Sequence, residues 1–232
     1  MGLGQNRVVT VRLSPAVEAA LRAQLEVRRG VLAHGADAVG WKIAASIPGV
    51  EEGAGAGGLV FGFLTTATLM PAGGRFSAGI TVNLCGEVEL GVMIGRDVAA
   101  DADLETAAAS VDAVGVALEI VDVYQAGAMH EVVASNVFHR AVAFGPTRRD
   151  ANPKSVTARL KTDGQTVSTK TVEVDPARTV WTMAQLVGAV DQQLRAGDWI
   201  LAGSLLHLPI AADHEVTAVL DGFGEVSLKI DP

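Results

Sequence analysis

A single cysteine, Cys85, occurs in 232 residues, so no intrachain disulfide can form and a reducing cytoplasm is the simplest compartment. No base is paired with it locally, and Cys85 reads as a small buried hydrophobe, not as a catalytic thiol. Clustered basic residues are missing too. With 18 Lys and Arg against 26 Asp and Glu the formal charge is −8, and Arg28-Arg29 and Arg148-Arg149 are pairs, not patches. Nucleic-acid binding needs many phosphates neutralised together, which this distribution does not offer. No stretch approaches the roughly 18 uninterrupted apolar residues of a membrane span, and Met1-Gly2-Leu3-Gly4-Gln5-Asn6-Arg7 lacks the apolar core of a signal peptide. The expectation is a cytoplasmic chain, neither exported nor inserted. There is no Gly-x-x-x-x-Gly-Lys-Ser/Thr phosphate loop, so nucleotide binding has no support. Internal repeats and low-complexity tracts are absent as well.

What is present is an ordinary globular composition, 49% hydrophobic and 19% charged. The mean hydropathy of +0.33 reflects alanine and valine in a large β-rich core, and it also fits subunit interfaces, so a homo-oligomer is expected. Length and patterning divide the chain into an N-terminal helical appendage, residues 1–38, and one larger β-rich domain, residues 39–232.

Ser14-Pro15 is a helix start, with Val17, Leu21 and Leu25 recurring at helical spacing behind it. Val39-Gly40-Trp41-Lys42-Ile43 is a short strand leading to the loop Ser46-Ile47-Pro48-Gly49. Four glycines in 53–58 suggest a surface loop or lid. Further strands are predicted at 59–64, 80–94, 115–123, 141–144, 156–162, 165–174, 199–202, 215–220 and 224–230, with an Asp163-Gly164 hairpin turn. Helices are predicted at 104–111 and 181–195, the second with Met183, Leu186, Val187, Val190 and Leu194 on one stripe. Many antiparallel-looking strands with few helices describe an α+β fold on curled sheets.

The informative segment is Leu84-Cys85-Gly86-Glu87-Val88-Glu89-Leu90-Gly91-Val92-Met93-Ile94. Alternation in a strand sends both carboxylates to one face, opposite an apolar layer, where they cost free energy unless a positive charge joins them. A third acid lies in the apolar run Val114-Gly115-Val116-Ala117-Leu118-Glu119-Ile120-Val121. Three converging carboxylates suit a hard divalent cation such as Mg²⁺. Spacing alone does not separate Glu119 from Asp122 as that third ligand.

Gly40-Trp41-Lys42-Ile43, Glu87-Val88-Glu89 leading into Ile94-Gly95-Arg96-Asp97, Ala117-Leu118-Glu119-Ile120-Val121-Asp122 and Gly197-Asp198-Trp199-Ile200-Leu201-Ala202-Gly203-Ser204 occur in that order. Together they resemble the fumarylacetoacetate hydrolase superfamily, in its branch of 2-hydroxypenta-2,4-dienoate hydratases and 4-oxalocrotonate decarboxylases. The resemblance implies a β-rich mixed β-sandwich roll, Mg²⁺ or Mn²⁺ held by Glu87, Glu89 and Glu119, and Lys42 beside the substrate. It places Asn136 and Ser204 at the substrate and leaves Asp122 as a hydrogen-bonding residue at a strand end. His139 is either a general acid/base or a satisfied interior histidine; His130 and His207 carry weaker signals. Two departures from the branch stand out. No acid occurs in Leu59-Val60-Phe61-Gly62, and bulky Phe138, His139 and Arg140 follow Asn136-Val137.

The activity implied is a metal-dependent lyase, a hydratase first, acting on a small 2-oxo or 2-hydroxydienoic acid through an enolate. Decarboxylation of a 2-oxo diacid or C–C hydrolysis of an acylpyruvate are the alternatives on the same scaffold. A non-catalytic, metal-binding partner subunit of a hydratase or decarboxylase is the alternative of another class.

Overall fold

Ser14 opens the first helix, α1 (Pro15–Ala33): its Oγ accepts from Val17 N at 3.3 Å and Pro15 takes the first helical position. The structure is a computed structural model that describes residues 11–45, 58–123, 128–149 and 151–232. Loop 46–49 and most of the glycine-rich segment 53–58 lie outside the described residues. Val17, Leu21 and Leu25 enter the main hydrophobic core, and Gln24 on the same stripe donates to Phe61 O at 3.0 Å and Val133 O at 2.7 Å. The helix is thereby fastened to the strands that carry the site.

Eleven strands form the body: β1 (Ala38–Ala44), β2 (Val60–Thr65), β3 (Arg75–Ser77), β4 (Leu84–Ile94), β5 (Val111–Asp122), β6 (His139–Arg149), β7 (Ser155–Thr162), β8 (Gln165–Glu173), β9 (Trp199–Pro209), β10 (His214–Leu220) and β11 (Gly224–Asp231). They make a six-stranded sheet, β2-β1-β9-β4-β5-β6, and a five-stranded sheet, β3-β11-β10-β7-β8. Pairing is antiparallel except for β1 on β9 and β3 on β11. The two sheets face each other, so the molecule is a mixed β-sandwich, the α+β class that the strand-rich pattern implied. Even-numbered residues of β4 point into the sandwich. A Cβ on Gly86 would sit 3.4 Å from Val216 and 3.5 Å from Leu160, both on the second sheet. Odd-numbered residues, Glu87 and Glu89 among them, face the other way.

Several boundaries differ from the sequence reading, each for a local reason. β4 begins at Leu84, not at residue 80, because Asp122 Oδ1 accepts from Val82 N at 3.0 Å and Asn83 N at 2.8 Å. That bond holds the preceding residues as a turn and leaves Ile80 and Val82 101% and 79% exposed. The last helix, α4 (Pro176–Gly188), starts before Trp181 because Asp175 Oδ1 caps Arg178 N at 3.2 Å and Pro176 fits the first position. Val190 and Leu194 lie beyond its end yet remain buried. α2 (Leu104–Ser110) falls where the pattern placed it, while α3 (Met129–Ala134) and β3 carry too few residues to show a period. The Asp163-Gly164 turn joins β7 to β8 with φ of +48° and +76°.

Candidate metal centre

Strand register assembles the site. On β5, Glu119 pairs directly with Glu87, and Ala117 with Glu89; on β9, His207 pairs with Glu87 and Ser204 with Glu89. Directly opposed residues share a face, so Glu87, Glu89 and Glu119 meet, with ligand oxygens all within 4.8 Å of one another. Among the described residues this is the one cluster of His, Cys, Asp and Glu able to hold a metal. Glu89 and Glu119 are buried and Glu87 is partly so.

Three carboxylates this close repel, and Lys42 answers them from β1. It is 3% exposed; its Nζ donates to Glu119 Oε1 at 2.5 Å and to Val137 O at 3.1 Å. Burial works against its charge, but Glu119 and then Glu87 outweigh that cost, so Lys42 is held ionised. Burial likewise opposes ionisation of Glu119, yet Lys42 and the hydrogen bond from His139 bring its carboxyl down to about 2. Glu89 is hydrogen-bonded to neither. Burial, then the charges of Glu119 and Glu87, push its carboxyl well above the usual range, against the charge of Lys42 and a Gly203 N–H that donates to Oε2 at 2.9 Å.

His139 Nδ1 lies 2.7 Å from Glu119 Oε1 and Nε2 lies 2.9 Å from Thr68 Oγ1. Burial lowers the imidazole pKa, so the ring is neutral at pH 7. An ionised carboxylate only accepts, which puts the single ring proton on Nδ1 and leaves Nε2 to accept from the Thr68 hydroxyl. Both ring nitrogens of His139 are thus partnered, and it is not among the residues that line the cleft. His207 Nδ1 meets Glu87 Oε1 at 2.6 Å, and this hydrogen bond raises the His207 pKa.

Asn136, Val137 and Phe138 have φ of +67°, +51° and +64°, three consecutive non-glycine residues in the left-handed region. Each costs about 1–2 kcal/mol. Their geometry is offset by what they hold. Asn136 Oδ1 accepts from Phe63 N at 2.7 Å and its Nδ2 donates to Phe63 O at 2.9 Å, completing the free edge of β2 as another strand would. Val137 O accepts from Lys42, and Phe138 O accepts from Asp122 N at 3.0 Å. With both amide groups committed, Asn136 does not reach the cleft. Asn136→Ala is expected to lower stability by about 2–4 kcal/mol, because two buried backbone groups of Phe63 lose their partners. Urea unfolding measures this, and a loss under about 0.5 kcal/mol refutes the clasp.

Asp122 is not part of the carboxylate group. It caps the turn before β4, and its Oδ2 lies 3.4 Å from Arg140 Nη2, which turns Arg140 away from the site as well. Above the glutamates opens a cleft of about 1190 Å³, its floor formed by Lys42, Glu87 and Glu89 and its walls including Phe138, Ser204 and His207. Ser204 lines this cleft while its Oγ donates to Leu206 O at 2.9 Å. Sequence reasoning gave no part to Thr68 or to the Val137 carbonyl. Neither carries a local signal, because one acts through a side chain 71 residues away and the other through its backbone.

The donor set fits a hard divalent cation: all-oxygen ligands, two of them buried, with Glu119 Oε2 fully enclosed and lacking any hydrogen-bond partner among the described residues. A β-sandwich with three strand-borne carboxylates at the head of a cleft defines a class of metal-site proteins. The chain belongs to the fumarylacetoacetate (FAA) hydrolase C-terminal family, whose model matches residues 52–230. Among solved structures it is similar to 4-oxalocrotonate decarboxylase from Pseudomonas putida G7, at 21% identity over 97% of this chain and 94% of that one, TM-score 0.79. It is also similar to fumarylpyruvate hydrolase from Pseudomonas aeruginosa, at 18% identity over 84% and 89%, TM-score 0.62. A third is 2-hydroxyhepta-2,4-diene-1,7-dioate isomerase from Mycobacterium marinum, at 16% identity over 84% and 74%, TM-score 0.61. At these identities the likeness concerns the fold. Among curated proteins, none matches the chain. No described helix is long and apolar enough to cross a membrane.

Proposed function

We propose that this protein is a divalent-metal-dependent lyase of a small 2-oxo or 2-hydroxydienoic acid, with Mg²⁺ or Mn²⁺ held by Glu87, Glu89 and Glu119. The observation that carries the reading is the unpartnered, buried Glu119 Oε2, grouped with Glu87 and Glu89, which with Lys42 line an open cleft. Solved relatives in fold support the metal: the decarboxylase is complexed with magnesium and adipate, and the fumarylpyruvate hydrolase with Mn²⁺ and pyruvate.

Bound there, the cation would supply Lewis-acid stabilisation of the negative charge that develops on the 2-oxo oxygen of the substrate, worth several kcal/mol. The chain's own residues do the rest. Lys42, ionised and fixed by Glu119 and Val137 O, presents a positive charge and an N–H donor to the cleft floor. It attracts the substrate carboxylate and holds a proton ready for the carbon that must be reprotonated. Ser204 and Gly203 line the cleft on the β9 side, and Phe138 contributes an apolar wall.

Hydration of a 2-hydroxydienoate is the reaction the sequence resemblance places first. Decarboxylation of a 2-oxo diacid is the second reading, supported by the fold shared with 4-oxalocrotonate decarboxylase over 97% of this chain. Purified protein with Mg²⁺ is expected to bleach the ultraviolet absorbance of 2-hydroxypenta-2,4-dienoate, or to release CO₂ from 4-oxalocrotonate, and EDTA is expected to stop either. CO₂ release without bleaching selects the decarboxylase. If neither acid is consumed with Mg²⁺ or Mn²⁺ while Mn²⁺ still binds, the lyase reading fails; release of pyruvate from an acylpyruvate then selects the C–C hydrolase, and no turnover of that either selects the partner-subunit reading.

A further inference from the structure

The carboxylate of Glu119 is bonded asymmetrically. Oε1 accepts from both Lys42 Nζ, at 2.5 Å, and His139 Nδ1, at 2.7 Å, while Oε2, fully buried, has no partner among the described residues. Lysine alone does not fix such a group, because its ammonium is a point charge on a four-carbon stem and bonds equally well over a range of angles. The imidazole differs. Its ring is gripped from behind by Thr68 Oγ1 at 2.9 Å, and its backbone N donates to Asn136 O at 3.1 Å. Thr68 is itself tied to β6: Val142 N donates to Thr68 O at 3.0 Å and Met70 N to Val142 O at 2.8 Å. Turn 66–69 and the start of β6 therefore clamp one planar donor against one oxygen of one carboxylate.

We propose that His139, held by Thr68, is a positioning residue that fixes the Glu119 carboxylate so that Oε2 alone is presented to a divalent cation. The inference rests on the metal-centre reading and deepens it. It gives a role to the bulky histidine that departs from the pattern of the resembling branch, and it requires no contact between His139 and substrate.

The test is Mn²⁺ alone titrated into metal-free protein, with free Mn²⁺ followed by electron paramagnetic resonance. His139→Leu is expected to weaken Mn²⁺ binding about 10–100-fold, the usual cost of losing a partner behind a metal ligand. His139→Asn, whose Nδ2 takes the place of Nδ1, is expected to bind within about threefold of the wild type, and Thr68→Val, which loosens the ring, at least about threefold more weakly. A purely space-filling role would order these variants by size and not by donor. His139→Leu within about twofold of the wild type, or His139→Asn as weak as His139→Leu, overturns the proposal. If His139→Leu fails to fold, Thr68→Val decides, and wild-type affinity in that variant overturns it. A wild-type protein that takes up no Mn²⁺ overturns the metal centre and this inference with it, a result separate from the variant outcomes.

Discussion

Glu119→Gln is expected to abolish Mn²⁺ uptake and to lower kcat/KM on the processed acid by about 10³-fold or more, since the several kcal/mol of charge stabilisation that a metal supplies convert at about 1.4 kcal/mol per factor of ten. The substitution keeps the shape and leaves an amide oxygen for Lys42 and His139, but it removes the one fully buried carboxylate oxygen without a hydrogen-bond partner among the described residues. The fold is expected to survive. Lys42 does not become an orphaned buried charge, because the Glu89 carboxyl is pushed upward by burial first and then by Glu119 itself. Without Glu119 its carboxyl ionises more readily and takes over as counter-charge. Calorimetry with Mn²⁺ and steady-state kinetics measure both effects. Retention of metal affinity within about tenfold would remove Glu119 from the ligand set, and the proposed lyase chemistry with it.

Metal-free protein is expected to lose stability as pH rises above the ordinary carboxylate range. Glu89 titrates well above 4.5 when folded. Between its unfolded pKa, about 4.3, and its folded one, the unfolded chain releases the proton while the folded chain keeps it, and each pH unit in that window costs about 1.4 kcal/mol. Glu119 acts in the opposite sense lower down. Its carboxyl is brought down to about 2, so its contribution is complete above the unfolded value and is lost as pH falls toward 2. Glu89→Gln keeps an acceptor for Gly203 N–H and abolishes the upper penalty. Its metal-free Tm near neutral pH is expected to rise by several degrees, at about 2–4 °C per kcal/mol. Mn²⁺ at about 100 times its Kd is expected to raise the wild-type Tm by roughly 5–10 °C and to leave the Glu89→Gln variant unmoved. Thermal melts at several pH values decide it. A wild-type Tm that climbs steadily with pH while that of Glu89→Gln follows it in parallel would show that Glu89 is not the strained group.

Much of this site was legible one strand at a time. Glu87 and Glu89 share a face by the two-residue period of β4, and that followed from the residues alone. Lys42, placed by resemblance beside the substrate, lies on the cleft floor. The limits of legibility are equally specific. The period of a strand says which face a residue takes but not where the strand begins, and Asp122, capping the turn from another strand, set the start of β4. Helix α4 was misplaced because its apolar stripe continues past the end of the helix, whereas its start lay in the Asp175-Pro176 pair. Asn136 carried a substrate role by resemblance, yet its amide completes the edge of β2, a contact across 73 residues that no local pattern encodes.

By itself the sequence determined the strand-rich α+β class, the absence of a nucleotide loop, the shared face of two carboxylates and the family motifs in their order. Tertiary structure decided which distant acid joins that pair. Spacing left Glu119 and Asp122 equivalent, and the register of β4 on β5 separated them by setting Glu119 opposite Glu87 and committing Asp122 to backbone and to Arg140. It also bonded His139 to Glu119 outside the lining of the cleft. The physical reason is that periodicity is a property of one strand, whereas register belongs to two, chosen by the hydrogen bonds and side-chain packing of partners that only the folded chain brings together.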